Sequence, residues 1–163
     1  MKVTAQEEYG LRCLLQVAGH TAAEPITLTE ISSREGMSVP HVAKLMGLLR
    51  QSGLVDSVRG RSGGYVLTRP ASQVSVADVL TGLGERIFDA EYCERFHGAD
   101  DQACVHAGGC SIRSVWSRVE AIVSDVLRKT TIADLLGMEE AALDRSLDDR
   151  ARLSSLLQID PRR

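Results

Sequence analysis

The stretch SVPHVAKLMGLLRQSGLVDSVRGRSGGYVLT, residues 38–68, decides the fold because its first half predicts a helix and its second half a β-hairpin. Ser38 is a typical helix N-cap residue, and Pro40 falls in the first turn, where a missing N–H costs little. Apolar residues then recur at steps of three and four up to Gly53. These residues are Val42, Leu45, Met46 and Leu49.

The second half of the stretch predicts two short strands, at residues 54–59 and 65–68. The loop GRSGG between them is rich in glycine, which permits a tight tip. An isolated hairpin of this kind would be interpreted as a surface turn with solvated arginines. Directly after a helix of the kind predicted here, it is interpreted as a wing.

Two further helices are predicted upstream. Thr4 with Glu7 and Thr27 with Glu30 have the spacing of capping boxes, in which the two side chains satisfy each other's backbone N–H groups. The second of these helices is short and ends at Gly36, a residue suited to the left-handed turn after a helix. The fold class is therefore mainly α with a small β-hairpin, a winged helix-turn-helix domain.

The charge distribution favours a nucleic-acid partner for this domain. The net charge of the chain is -3, but residues 38–69 hold five basic residues and one acidic residue. Such a local excess indicates a face that meets a polyanion, so we expect double-stranded DNA as the partner. The candidate DNA-binding residues are Ser38, Pro40, His41 and Lys44 in the third helix and Arg59, Arg61 and Gly63 in the wing. Taken singly, Ser38 is equally well a helix cap and His41 a solvated surface histidine.

A long helix is predicted from Ser111 to about Lys129. Its apolar stripe is about 25 Å long, more than a small domain covers alone, so a symmetric partner helix and a homodimer are expected. Packing against the first helix of the same chain is the alternative. The candidate dimerisation residues are Ile112, Val115, Trp116, Val119, Ile122, Val123 and Val126. A dimer would present two recognition helices to a pseudo-palindromic operator.

The segment between the winged domain and the long helix, residues 93–110, contains three of the four cysteines and two of the four histidines. No apolar run long enough for a membrane span or a secretory signal is present in the sequence, so we expect a cytoplasmic protein without membrane association. Clustered cysteines in a reducing compartment favour metal binding or redox chemistry over structural disulfides. The spacing of Cys93 with His97 and of His106 with Cys110 also permits a structural zinc site.

Two other interpretations of the cysteines remain open, a metal-free thiol switch and an iron–sulfur electron-transfer protein. The fourth cysteine, Cys13, lies within the first predicted helix and is interpreted as a small core residue. No convincing catalytic constellation or nucleotide-binding fingerprint appears in the sequence, so an enzyme is not expected.

The order of SVPHVAKLMGLLRQSGLVDSVRGRSGGYVLTRPASQVSVADVL, three cysteines, a long apolar helix and TTIADLL resembles the IscR-type winged-helix regulators, which include IscR, NsrR and RirA. The resemblance extends to about Leu136, and the segment VRGRSGGYVLTRPAS is specific to the wing of that family. It implies a homodimeric bacterial transcription factor. It also implies an iron–sulfur cluster, 2Fe-2S or 4Fe-4S, that senses iron, redox state or nitric oxide and controls iron–sulfur assembly genes.

By resemblance, the cluster ligands are Cys93, Cys104 and Cys110. The ten residues between the first two are more than the family usually has, whereas the five between the last two match it. Where IscR has a histidine ligand this chain has Arg113, which cannot serve. NsrR-like members take a carboxylate from the partner's first helix, and Glu8 stands at the matching place.

Other side chains could complete the site instead of Glu8. His106 is the first local rival, followed by His97, Asp100 and Asp101. The expected division of the chain is a DNA-binding domain at 1–84, a cysteine loop at 85–110, the dimerisation helix with a following short helix at 111–138, and a tail at 139–163.

Overall fold

The fold is described from a computed structural model that covers residues 3–60, 63–84 and 110–137. These residues are mainly helical, with one antiparallel hairpin, as predicted. The helices are α1 (Ala5–Ala18), α2 (Leu28–Glu35), α3 (Val39–Gln51), α4 (Val76–Gly82), α5 (Ser111–Lys129) and α6 (Ile132–Gly137). The strands are β1 (Val55–Val58) and β2 (Gly64–Leu67), and a 3-10 turn spans Ala71–Gln73.

The starts of four of the described helices are fixed by capping boxes. In each, the N-cap hydroxyl accepts a hydrogen bond from the N–H of the third helical residue, whose carboxylate accepts from the N-cap N–H. The pairs are Thr4 with Glu7, Thr27 with Glu30, Ser75 with Asp78 and Thr131 with Asp134. Ser38 occupies the N-cap position of α3, but its side chain makes no capping hydrogen bond. The predicted position is therefore confirmed, while the hydroxyl is left available for another partner.

The wing contains a third extended segment that the sequence did not reveal. β1 pairs with β2 from Val55 opposite Leu67 to Val58 opposite Gly64. On the other side of β2, the Tyr65 N–H donates to the Ile26 carbonyl at 2.8 Å, and the Ile26 N–H donates to the Tyr65 carbonyl at 3.3 Å. This bridge ties the chain before α2 to the wing, so the hairpin is held to the helical body.

The core lies where α1, α3 and the wing meet. Fully buried side chains include Leu14 of α1, Ile31 of α2 and Leu45 of α3. Cys13 is also fully buried, which confirms the prediction of a core residue. Burial, and secondarily the negative charge of Glu35, raises the pKa of Cys13 to about 12. This thiol therefore stays protonated and unreactive.

The end of α5 is anchored to the winged domain by a short stretch of paired backbone. The Val76 N–H donates to the Thr130 carbonyl at 2.9 Å, and the Ile132 N–H donates to the Val74 carbonyl at 2.8 Å. Ile132 is fully buried in the core. The principal neighbour of α5 among the described elements is α4, rather than α1 as the intrachain alternative had it. No helix in the described ranges is long and apolar enough to cross a membrane.

We predict that Gly64→Ala destabilises the protein by about 1–3 kcal/mol, the usual cost of overpacking a filled site. A Cβ at this position would lie 2.5 Å from the Ile26 carbonyl oxygen, which the bridge to Tyr65 holds in place. Urea unfolding followed by circular dichroism at a fixed protein concentration measures the change.

Gly47→Ala is the matched control for this experiment. A Cβ there meets nothing within 4 Å, and alanine favours a helix over glycine, so it should stabilise the fold by about 0.5–1 kcal/mol. An unfolding midpoint of Gly64→Ala equal to that of the parent would contradict the proposed role of Gly64.

Candidate nucleic-acid interface and metal centre

Helix α3 divides into a buried and an exposed face. The predicted apolar set Val42, Leu45, Met46 and Leu49 is buried, which confirms the predicted period. Ser38, Pro40 and Lys44 are exposed, together with Val39 and Ala43. Three of the four candidate DNA-binding residues of this helix therefore lie on a surface that a ligand can reach.

His41 is placed differently from its expected position on that surface. Its ring is half-buried and packs edge-on against Tyr9 of α1, with ring centroids 5.6 Å apart and planes inclined by 77°. This geometry is a favourable aromatic arrangement. Tyr9 was not identified from the sequence, since nothing in the spacing of the two residues indicates that their rings meet. Through this contact, α1 touches the candidate recognition helix at its first turn.

The wing is closed tightly by glycine. Gly60 has a φ of 133°, a conformation open to glycine, and its carbonyl accepts a hydrogen bond from the Gly63 N–H at 3.1 Å. A Cβ on Gly63 would lie 2.7 Å from the Val58 carbonyl oxygen. Arg59 is exposed beside this turn, and Arg61 lies outside the described residues. Glycine is therefore required at position 63 by the close Val58 carbonyl and favoured at position 60 by the backbone conformation.

The basic residues of α3 and the wing differ in whether an acidic side chain of the same chain lies beside them. Arg69 donates to the Gln73 carbonyl at 3.1 Å and to Asp78 Oδ2 at 3.0 Å, so its side chain closes the loop before α4. The Arg50 Nε lies 3.8 Å from Asp56 Oδ1, and both side chains are exposed. Within the described ranges, Lys44 and Arg59 form no ion pair.

The Asp78 carboxylate is the ion-pair partner of Arg69 within the fold. Partial burial works against its charged form, but hydrogen bonds from Ser75 and the charge of Arg69 outweigh this cost and lower the pKa of Asp78. Arg69 is consequently engaged with the fold, whereas the charges of Lys44 and Arg59 are unpaired within the described residues.

Cys110 occupies the N-cap position of α5. It is half-buried, and its Sγ accepts a hydrogen bond from the Arg113 N–H at 3.4 Å. The sulfur therefore lies beside the backbone N–H groups that have no intrahelical partner at the start of the helix. The other candidate ligands Cys93, Cys104, His97, Asp100, Asp101 and His106 lie outside the described residues. In the part of the chain that is described, no group of three or more metal-ligating side chains comes together.

Glu8, the candidate ligand expected to act across the dimer, is exposed on α1. Arg12 lies one turn further along, with its Nε 2.9 Å from Glu8 Oε1 and its Nη1 4.0 Å from Glu35 Oε2. The i, i+4 spacing of Glu8 and Arg12 is the signal in the sequence from which this pair could have been predicted. The carboxylate is open to solvent on its outer side, where a second subunit could reach it.

The apolar stripe of α5 is divided between an exposed and a half-buried part. Near the N-terminus of the helix, Ile112, Val115 and Trp116 are 65%, 56% and 44% exposed. Further along, Val119, Ile122, Val123 and Val126 are half-buried. An exposed cluster of large apolar side chains on one helix is a typical association surface.

Comparison with known proteins bears on these sites. Residues 3–138 match the model of the Rrf2 family, described as an iron-dependent transcriptional regulator. The chain belongs to the Rrf2 family. Members of this family are transcriptional regulators, which is the function class that the winged helix-turn-helix and its basic face indicate for this protein.

The relatives of this Rrf2 protein are named as transcriptional regulators rather than enzymes. The HTH-type transcriptional regulator IscR of Serratia proteamaculans (strain 568) is 32% identical over 157 residues, which cover 95% of this chain and 92% of the relative. IscR of Sodalis glossinidius (strain morsitans) is 34% identical over 154 residues, covering 93% and 90%. The resemblance to the IscR-type regulators is thereby confirmed.

Two solved structures share the Rrf2 fold. CymR, the global cysteine regulator of B. subtilis, matches with a TM-score of 0.69 and 27% identity, covering 83% of this chain and 96% of that one. T. potens IscR matches with a TM-score of 0.66 and 31% identity, covering 87% and 90%. The predicted fold class, a winged helix-turn-helix with a long additional helix, is confirmed.

We predict that Arg59→Ala weakens DNA binding to all sequences and lowers the slope of log K against log salt by about 1 for each phosphate that the variant no longer neutralises. Fluorescence anisotropy with a labelled duplex at several salt concentrations measures this slope. Arg69→Ala is the matched control, because it removes the same charge from a side chain that is bound to Asp78. It should lower stability and leave the slope unchanged. Equal slopes for Arg59→Ala and the parent would remove Arg59 from the interface.

Proposed function

We propose that this Rrf2-family regulator binds a pseudo-palindromic operator as a homodimer and senses iron, redox state or nitric oxide through an iron–sulfur cluster on Cys93, Cys104 and Cys110. The main support is the position of Cys110, which caps the helix whose first turns expose Ile112, Val115 and Trp116. A sulfur ligand and an association surface therefore share one end of α5, so a change at the ligand acts where two subunits meet.

The homodimer is supported by the cost of leaving this surface in water. Covering a large aliphatic or aromatic side chain contributes about 1.5–3 kcal/mol. α4 is the principal neighbour of α5 among the described elements, and Ile112, Val115 and Trp116 stay exposed in the single chain. A second copy of the same helix offers a matching apolar surface, as a two-fold symmetric interface requires.

The donor set fits a sensing cluster. Bound iron and sulfide would supply a centre that changes charge and ligation with redox state or nitric oxide. Cys110 lies at the N-terminus of α5, where its sulfur accepts a backbone hydrogen bond, and two further sulfur ligands would come from Cys93 and Cys104. For the fourth position, the exposed carboxylate of Glu8 from the partner subunit is the first choice and His106 the second. The same residues could instead hold a structural zinc ion, or act without metal as a thiol switch.

The coupling to DNA is supported by contacts on both sides of the proposed site. Glu8 is followed in α1 by Tyr9, whose ring packs on His41 in the first turn of α3. At its other end, α5 is joined to the start of α4 by the Val76 to Thr130 hydrogen bond. Displacement of α1 or α5 in a dimer would therefore turn the recognition helix. Two arrangements of the dimer with different helix spacing would bind an operator differently.

This proposal assigns a role to each of three segments of the chain. Residues 1–84 would bind DNA, 85–110 would hold the cluster, and 111–138 would form the dimer, while 139–163 have no assigned role. The IscR-type resemblance favours genes of iron–sulfur cluster assembly as the regulated targets. The protein would act in the cytoplasm.

We predict visible charge-transfer absorption, with iron and sulfide in matching amounts, for protein purified without oxygen. Cys110→Ala should lose the colour, and Cys13→Ala should keep it, because Cys13 is buried in the core. Absorption spectra combined with iron, sulfide and zinc analysis measure this. A colourless protein with stoichiometric zinc would indicate a structural zinc site instead of a cluster. A colourless protein without metal would leave only the thiol switch.

We predict that Glu8→Gln shortens the lifetime of the cluster in air without changing the dimer mass, because an amide is a weaker ligand than a carboxylate. Loss of visible absorbance with time and light scattering measure the two properties. Glu24→Gln, the same substitution at an exposed residue between α1 and α2, is the control and should match the parent. A parental lifetime for Glu8→Gln would exclude Glu8 and direct attention to His106.

A further inference from the structure

The outer face of the first two turns of α3 is apolar. Val39, Pro40 and Ala43 are exposed there, and Val39 leaves 40% of its surface in water. None of these side chains carries a hydrogen-bonding group. His41 packs on Tyr9, and Lys44, the other long polar side chain in these turns, lies at the edge of the apolar face.

Polar groups lie at the edges of this apolar face. The Ser38 hydroxyl makes no capping bond and is exposed. Lys44 is exposed one turn after Pro40 and has no ion pair within the described residues. α1, α2 and α4 each carry an acidic residue in their first turn, whereas α3, like α5, has none. The electrostatics at this helix start therefore favour the approach of a polyanion.

The composition of the face is not explained by helix stability. Valine has a modest helix propensity, and an exposed valine in the first turn contributes neither a cap nor a favourable charge. An acidic or small polar residue would serve the isolated helix better at this position. Val39, Pro40 and Ala43 together form an apolar surface at the start of α3 that a binding partner can contact.

In the major groove, one of the four bases presents an apolar group. Thymine has a C5 methyl, whereas guanine, adenine and cytosine present acceptors or donors that need a partner when water is removed. An apolar side chain set against such a polar edge leaves a buried polar group without a hydrogen bond, which is costly. Against a thymine methyl, the same side chain buries apolar surface on both sides.

We propose that Val39 and Ala43 contact thymine methyl groups, so that methyl contacts rather than side-chain hydrogen bonds select the operator half-site. Ser38 and Lys44 contact the flanking sugar-phosphate backbone and set the register of the helix in the groove. This inference rests on the proposed binding of DNA through α3 and adds which chemical group of the bases is read. Val39 is then a specificity-determining residue.

The test uses the full chain and duplexes recovered by it from a random library. Each thymine of a recovered half-site is replaced by uracil, which removes the methyl and keeps every hydrogen-bonding group. Affinity should fall about fourfold for each contacted methyl, and about 15-fold when the symmetry-related pair is replaced. The salt dependence should stay the same, since a methyl carries no charge.

Variants identify the residue that makes the contact. Val39→Ala should lower the ratio of thymine to uracil affinity at the position that Val39 contacts, because the shorter side chain covers less of the methyl group. Leu136→Ala, which shortens an exposed apolar side chain on α6, should keep the parental ratio. Circular dichroism of both variants verifies the fold, and the uracil series on the parent protein is independent of either.

The outcomes separate this inference from the function on which it rests. Failure to recover or bind any duplex would overturn the proposed function together with the inference. Recovery of a duplex that binds equally with uracil at every position would overturn methyl readout alone and leave operator binding intact. A Val39→Ala variant that keeps the parental ratio would remove Val39 from that role.

Discussion

The position of α5 relative to the winged domain depends on one constraint, the paired backbone between residues 74–76 and 130–132. Two hydrogen bonds and the buried side chain of Ile132 fix the end of α5 to the start of α4. Backbone hydrogen bonds in a short ladder have little rotational freedom, so α5 and the winged domain are joined by more than a linker. Communication between a dimer interface on α5 and DNA on α3 would pass through this connection.

Local features of the fold could be predicted from the sequence. The capping boxes at Thr4 and Thr27, the left-handed turn at Gly36 and the apolar period of α3 all depend on residues within a few positions of one another. Their physics is contained in short segments, and the structure confirms them. The limits of the hairpin were predicted to within two residues for the same reason.

Contacts between distant segments could not be predicted in this way. The Ile26 bridge to Tyr65 adds an edge to the wing from 39 positions away, and the Tyr9 ring meets His41 across two helices. Neither depends on a local pattern, since each arises when the core brings the elements together. The same is true of Arg69, which counted as one more basic residue in the sequence but is bound to Asp78 in the fold. The candidate cysteine ligands were assigned by family resemblance, and of these the structure describes Cys110 as the cap of α5.

The burial of Cys13 has a consequence for the sulfur chemistry of the protein. With a pKa of about 12, this thiol is ionised in about one molecule in 10⁵ at neutral pH. Thiol–disulfide exchange and peroxide attack both need the thiolate, so α1 contributes no competing nucleophile. An oxidant that reacts through thiolates would therefore leave Cys13 reduced at neutral pH, and any oxidation of the protein's thiols would begin at its other cysteines.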